Sequence, residues 1–295
     1  MNIGLKNNKD EVLEKCSLFQ QMQIWPLNDV LDYKGWLRNF TNEELPLAKK
    51  MLNSFMYFPQ PMINQMLISS VGFAGKNICN TFKDWCHEDF KQRCWYSYVP
   101  GEKPNSSDSG FNFQRILKKE LHIPEDRLLF FEDLLKLMRK EHDLIVILVD
   151  DFVGSGEQCI CMWKDMEGAV KANAHLVIYA PLIINYVGAE RIKRNCEDII
   201  LSPAHFLGPE YCLFNEKCRC WGDVETFRKG TDLIERKSRE IGIPMDSQLK
   251  TEYYQGFFSQ GLSLAFAEGA PDAILPLFYW QEKGWHPLIK KTYHR

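Results

Sequence analysis

The stretch LIVILVDDFVGSGEQ, residues 144–158, decides how the rest of the chain is read. Aliphatic residues, several of them β-branched, run without interruption into two adjacent carboxylates, Asp150 and Asp151. Such a run predicts a strand buried on both faces in the middle of a parallel sheet and stopping on the acidic doublet. Gly154, Ser155 and Gly156 follow at once, and EQCICMWKDMEGAVKAN then reads as a helix. The first amides of a helix have no intrahelical acceptor, and glycines let an anion approach them closely. A phosphate is the natural guest of that loop, with the Ser155 hydroxyl as a further donor. Two carboxylates beside a phosphate cradle must face something hydroxylated or cationic. A sugar phosphate meets both demands: the loop takes the 5′-phosphate, and the carboxylates accept from the ribose hydroxyls. A magnesium ion nearby would reconcile the charges. The competing reading, that the acids merely cap the helix, needs only one of them. No Lys-Ser/Thr follows the glycines, so the loop is not a P-loop, and the three-glycine dinucleotide spacing is absent.

Outward from this stretch, strands and helices alternate. CWYSYV reads as a strand that leaves through PGEKPNSSDSG into the amphipathic helix FNFQRILKKELHI, which stops before Pro124. LLFF reads as a short strand, EDLLKLMRKEH as a helix, and HLVIYAPLI and DIILS as further strands. The succession predicts an α/β fold with a mainly parallel sheet, whose ligand site lies beyond the carboxyl ends of its strands. Residues 10–70 read as helical. Trp36, Leu37, Phe40, Leu45, Ala48, Leu52, Phe55 and Met56 form a core-facing stripe, and Thr41 with Glu44 forms a capping box. The expected organisation is an N-terminal helical region over 1–70, an α/β core over 71–250 and a C-terminal cap over 251–295.

In 295 residues, 45% hydrophobic and 25% charged, composition is that of an ordinary globular protein. A net charge of −3 argues against a strongly basic nucleic-acid binder. The N-terminus lacks the apolar core of a signal peptide, and no apolar run approaches a membrane span; a cytoplasmic location is expected. The ten cysteines are scattered and read as reduced thiols. Cys212, Cys218 and Cys220 near His205 lack the paired spacing of a zinc site, and Cys159 and Cys161 point to different helix faces. Trp280, Trp285 and His286 lie among prolines, where a packed C-terminal flap is favoured over a hood for a flat base.

VILVDDFVGSGEQ resembles the phosphoribosyl-pyrophosphate (PRPP) signature of type I phosphoribosyltransferases: an apolar strand, two acids, three variable residues, then Thr-Gly-x-Thr. Here Ser155 stands for the first Thr. The resemblance implies a type I phosphoribosyltransferase-like core. Asp150 and Asp151 would contact the ribose hydroxyls, and Gly154, Ser155, Gly156, Glu157 and Gln158 would form the 5′-phosphate loop. PGEKPNSSDSG reads either as a surface turn whose Ser or Asp caps the following helix or as the pyrophosphate turn, with Lys103, Ser107, Asp108, Ser109 and Gly110 as its residues, Asp108 near Mg2+, and Arg115 as a further counter-charge. PNSSDSGFNFQRILKKELHIPEDRLLFFEDLL, the N-terminal WLRNF pattern and PDAILPLFYWQEKGWHPL are similar to phosphoribosyltransferase-like proteins of bacterial conflict systems, some encoded beside retron reverse transcriptases. That similarity implies an antiphage effector, toxic once released from a reverse-transcriptase complex with its DNA and RNA. Two functions follow: transfer or hydrolysis of a phosphoribosyl or nucleotide group, or binding of PRPP or a ribonucleotide without catalysis to control assembly.

The sequence departs from the signature twice. Glu157 and Gln158 stand where a small residue and a second Thr belong, which brings a carboxylate to the phosphate loop and removes a hydroxyl donor. Phe111 to Asp143 also leaves no room for the long lid that active phosphoribosyltransferases close over their substrates.

Overall fold

The computed structural model describes residues 10–27, 30–100, 109–245 and 254–290. In chain order the first half contains α1 (Glu11–Gln21), α2 (Tyr33–Leu37), α3 (Leu45–Ser54), β1 (Met56–Phe58), α4 (Gln60–Thr81), α5 (His87–Arg93), β2 (Trp95–Tyr98), α6 (Ser109–Glu120) and α7 (Phe131–Met138). The second half contains β3 (Ile145–Val153), α8 (Glu157–Ala172), β4 (Leu176–Asn185), α9 (Tyr186–Asn195), β5 (Ile199–Leu201), β6 (His205–Leu207), α10 (Val224–Ile241) and β7 (Leu264–Phe266). The chain forms two compact units, one of Met1–Gln60 with Gly208–Arg295 and one of Pro61–Leu207. Their boundaries fall elsewhere than at the three consecutive segments expected, because the first unit is assembled from the two ends of the chain.

The unit of Pro61–Leu207 carries the parallel sheet, in the order β2-β3-β4, with β5 and β6 along the far edge of β4. β3 is fully buried from Ile145 to Asp150, as its unbroken apolar run requires. One face of the sheet, with Val146, Leu148, Val177 and Tyr179, packs against Leu134 and Met138 of α7, Trp163 and Met166 of α8, and Ile192 of α9. Pro181 explains why the far edge is split. Its carbonyl accepts from the Ala204 amide at 3.1 Å, but its nitrogen has no hydrogen to return, so the neighbouring strand breaks between β5 and β6 at Ser202–Ala204.

Two expectations are corrected in this unit. The apolar strand does not stop on the acidic doublet: β3 continues through Val153, paired with Ile184 of β4. LLFF is no strand. Leu128 makes one isolated bridge to Tyr96, Phe130 is exposed, and Phe131 already opens α7. Its apolar residues serve a helix start rather than a ladder. The interval from α6 to β3 is otherwise helix and short turn.

In the other unit, α1, α2, α3 and α10 accompany a two-stranded parallel pair, β1 with β7. β1 interrupts the region that periodicity assigns to helix, and Met56 of the expected stripe lies in it, opposite Leu264. That partner is far off in sequence, so no local pattern announces it. Trp36, Leu37, Phe40, Ala48, Leu52 and Phe55 are buried as expected, and Leu45 is half-buried. The Trp36 and Trp285 indoles both donate to the Leu277 carbonyl at 2.9 Å. The C-terminal segment is thus core, while His286 is exposed. Half of the capping box forms: the Thr41 amide donates to Glu44 at 2.9 Å. Burial works to raise the Glu44 carboxyl, but that amide with Arg236 and Lys237 outweighs it and holds the group below its usual range. Among the described residues, no helix is long and apolar enough to cross a membrane.

Candidate functional site

Successive residues of a strand point to opposite faces, and this separates the acidic doublet. Asp150 follows Leu148 on the face where Leu148 lies opposite Tyr179 of β4. Its carboxylate is 7% exposed, accepts from the Tyr179 hydroxyl and takes the Asp151 amide at 2.9 Å. Asp151 is half-buried on the opposite side, and its carboxylate accepts from the Phe152 amide at 2.7 Å. Asp151 is therefore the member of the doublet with access to a ligand, whereas Asp150 is bound to the core.

Burial is the main influence on Asp150 and pushes its carboxyl well above the ordinary range, helped by the neighbouring charge of Asp151; the Tyr179 hydrogen bond opposes this. Tyr179 is pushed up as well, by burial and then by Asp150. Between the ordinary carboxyl range and its raised native value, native Asp150 keeps a proton that the unfolded chain has released. Stability must therefore fall as pH rises through that window. Asp150→Asn reproduces the protonated form, with the Tyr179 hydroxyl turned to accept from the amide. At pH 7 the variant should be at least as stable as the wild type, and its advantage should vanish toward pH 4. Denaturant midpoints measured across this range test it; a loss of stability in Asp150→Asn that grows as pH rises would show that Asp150 is held as an anion.

Past Val153 the chain turns through Gly154 and Ser155 to Gly156, the N-cap of α8, whose φ of 74° is the left-handed conformation that glycine adopts without strain. Ser155 is buried, and its hydroxyl accepts from the Glu157 amide at 3.3 Å. Among the described residues, nothing accepts from the amides of Ser155 and Gly156. Glu157 and Gln158 are exposed in the first turn of α8. The loop is held by a residue that the sequence reading passed over. A Cβ at Gly188 of α9 would stand 2.6 Å from the Gly154 carbonyl and 2.9 Å from Val153 Cγ1, so only glycine lets α9 lie this close.

Arg191, one turn further along α9, was also passed over. Its Nη1 donates to the Ser155 carbonyl at 2.7 Å and its Nη2 to Glu157 Oε2 at 2.6 Å. The Glu157 carboxylate beside the loop is thus charge-paired. GAER placed after a strand contains both Gly188 and Arg191, but only the packing of α9 on the loop shows what they do.

Lys103, Ser107 and Asp108 of the expected pyrophosphate turn lie outside the described residues. Ser109 and Gly110 open α6, and of their side chains nothing is described. Arg115 on that helix donates to Asn112 at 3.0 Å in an exposed position. Among the described residues, no three His, Cys, Asp or Glu converge as a metal cage; Cys212, Cys218 and Cys220 are buried free thiols, and His205 is exposed. Cys159 is buried and Cys161 exposed, on different faces of α8 as expected.

The PRTase-CE family model matches residues 33–291, a span that includes most of both compact units. No curated protein and no solved structure matches the chain.

Proposed function

The chain belongs to PRTase-CE, a phosphoribosyltransferase-like family, and we propose that it binds the ribose phosphate of PRPP or a ribonucleotide at the loop between β3 and α8. The observation that carries this reading is the loop itself: Ser155 and Gly156 amides without acceptors at the start of a long helix, four and five residues beyond an accessible carboxylate. The amides and the positive end of the helix suit the 5′-phosphate. Asp151 suits the ribose hydroxyls. A magnesium ion, if one accompanies the pyrophosphate, would neutralise its charge, and Asp151 or, outside the described residues, Asp108 would be the carboxylate to hold it.

Two outcomes of binding are possible chemically. In the first, the anomeric carbon loses pyrophosphate and a base or water takes the phosphoribosyl group. Asp151 would orient the ribose, and the loop would anchor its far end so that the anomeric carbon is presented in one position. In the second, the ligand is held without turnover and controls assembly. Its support is that Asp150 is turned into the core, which leaves one carboxylate for the sugar, and that α6 and α7 fill the interval where a closing lid would be sought. The wider role, a cytoplasmic antiphage effector restrained by a retron-type reverse transcriptase, rests on the sequence resemblance.

Calorimetric titration with PRPP and Mg2+ is the test. A hydrogen bond to a charged group contributes about 1.5–3 kcal/mol. Asp151→Asn should therefore weaken binding by about 10- to 100-fold, while Asp150→Asn should change it far less. Equal losses in both variants would return Asp150 to the ribose. Steady release of pyrophosphate under the same conditions would select the enzymatic outcome, and its absence from a ligand-saturated protein the binding one.

A further inference from the structure

Glu157 is the residue that fits a phosphate loop least, and the structure gives it a partner from a different helix. We propose that Arg191 is the phosphate-reading residue of this site and that Glu157 is its resident substitute anion, displaced when a phosphate monoester enters the loop. The inference rests on the reading above, that a ribose phosphate binds between β3 and α8, and names the group that selects for its phosphate.

The geometry supplies three parts of the argument. Arg191 is anchored on the loop backbone through Nη1 to the Ser155 carbonyl at 2.7 Å, so the guanidinium stays at the loop whatever its other nitrogen does. Nη2 meets Glu157 Oε2 at 2.6 Å in a pair that remains open to solvent, with the Arg191 side chain 28% and the Glu157 side chain 48% exposed. An exposed ion pair of this kind contributes little to stability, so it can be exchanged at small cost. A phosphate offers the same fork of donors a more highly charged acceptor with more oxygens. The third part is position. Glu157 is the first residue of α8, and Arg191 lies one turn beyond Gly188, whose missing side chain presses α9 against Gly154. The guanidinium therefore sits at the mouth of the loop rather than on a remote face. It also replaces the donor lost where the phosphoribosyltransferase pattern has a second Thr. A phosphate that takes Nη2 of Arg191 leaves Glu157, already 48% exposed, to turn further into water.

The two residues should consequently act in opposite directions, which no purely structural role for the pair produces. Ribose 5-phosphate is the probe, titrated calorimetrically into the full chain, with ribose as the control lacking phosphate. Glu157→Gln, which keeps Arg191 anchored on Ser155, should tighten ribose 5-phosphate about 3- to 10-fold. Arg191→Met should weaken it at least 10-fold, and the double variant should stay at least 10-fold weaker than Glu157→Gln alone. A double variant restored to the affinity of Glu157→Gln would reduce Arg191 to a neutraliser of Glu157 and overturn the proposal. So would losses of the same sign in both single variants, or no change in either, while the wild type binds and Asp151→Asn weakens binding; in that case the ribose-phosphate reading survives alone. Failure of the wild type to bind ribose 5-phosphate and PRPP would overturn both.

Discussion

Gly188→Val is expected to lower stability by at least about 3 kcal/mol and to abolish ligand binding even where the variant remains folded. The sign is informative because Gly188 is inside α9, where any residue but proline should be the better helix former. On propensity alone, Gly188→Ala would gain up to about 1 kcal/mol. The structure reverses this: the first added carbon already meets the Gly154 carbonyl at 2.6 Å and Val153 Cγ1 at 2.9 Å. Neither can yield cheaply. Gly154 is backbone, leading into a Gly156 whose own Cβ position is closed at 3.0 Å by the Gly188 carbonyl, and Val153 belongs to β3. Relief requires α9 to move off the loop, which takes Arg191 away from Ser155 and spreads the amides of the candidate phosphate cradle. Gly188→Ala should lose about 1–3 kcal/mol and Gly188→Val more, measured by urea unfolding. Binding of ribose 5-phosphate should fall at least 10-fold in the milder variant. A stabilised Gly188→Ala would mean that α9 does not press on the loop.

The second large effect lies in the unit built from the chain ends. Trp36→Ala should cost about 3–5 kcal/mol, the range for emptying a buried aromatic site. Trp36 is fully buried, its ring edge-on to Phe40 at 4.8 Å between centroids and tilted on Phe278 at 5.5 Å. Its N–H meets the Leu277 carbonyl, but Trp285 donates to the same oxygen at 2.9 Å. Deleting Trp36 therefore leaves no orphaned acceptor, and the loss comes from the cavity and missing contacts. Trp285→Ala leaves the same carbonyl satisfied by Trp36, so neither variant should show the extra penalty of a buried unpaired group. A loss below about 1 kcal/mol for Trp36→Ala would contradict this packing.

What was legible in the sequence was what depends on short-range pattern. Six aliphatic residues before Asp150 announce a central strand, the GSG turn announces a loop into a helix, and the alternation from β2 to β5 announces a parallel sheet. LLFF misled because a short apolar run serves a helix start and a strand equally well, and the end of β3 was read too early because carboxylates are poor markers of strand ends. The doublet itself was legible as a site feature but not as two different residues. Alternation along a strand assigns Asp150 and Asp151 to opposite faces, yet which face is core depends on where α8 and α9 pack.

Fold class, the strand–loop–helix unit and the chemistry the loop can offer follow from local pattern, since hydrophobic period, glycine and charge act within a few residues of one another. It took the packing of distant segments to set Tyr179 against Asp150, to admit α9 to the loop at Gly188, and to bring Arg191 to Glu157 across 34 residues of chain. The same packing pairs β1 with β7 and brings Trp36 and Trp285 to one carbonyl. These are contacts between segments whose order along the chain carries no record of their distance in space.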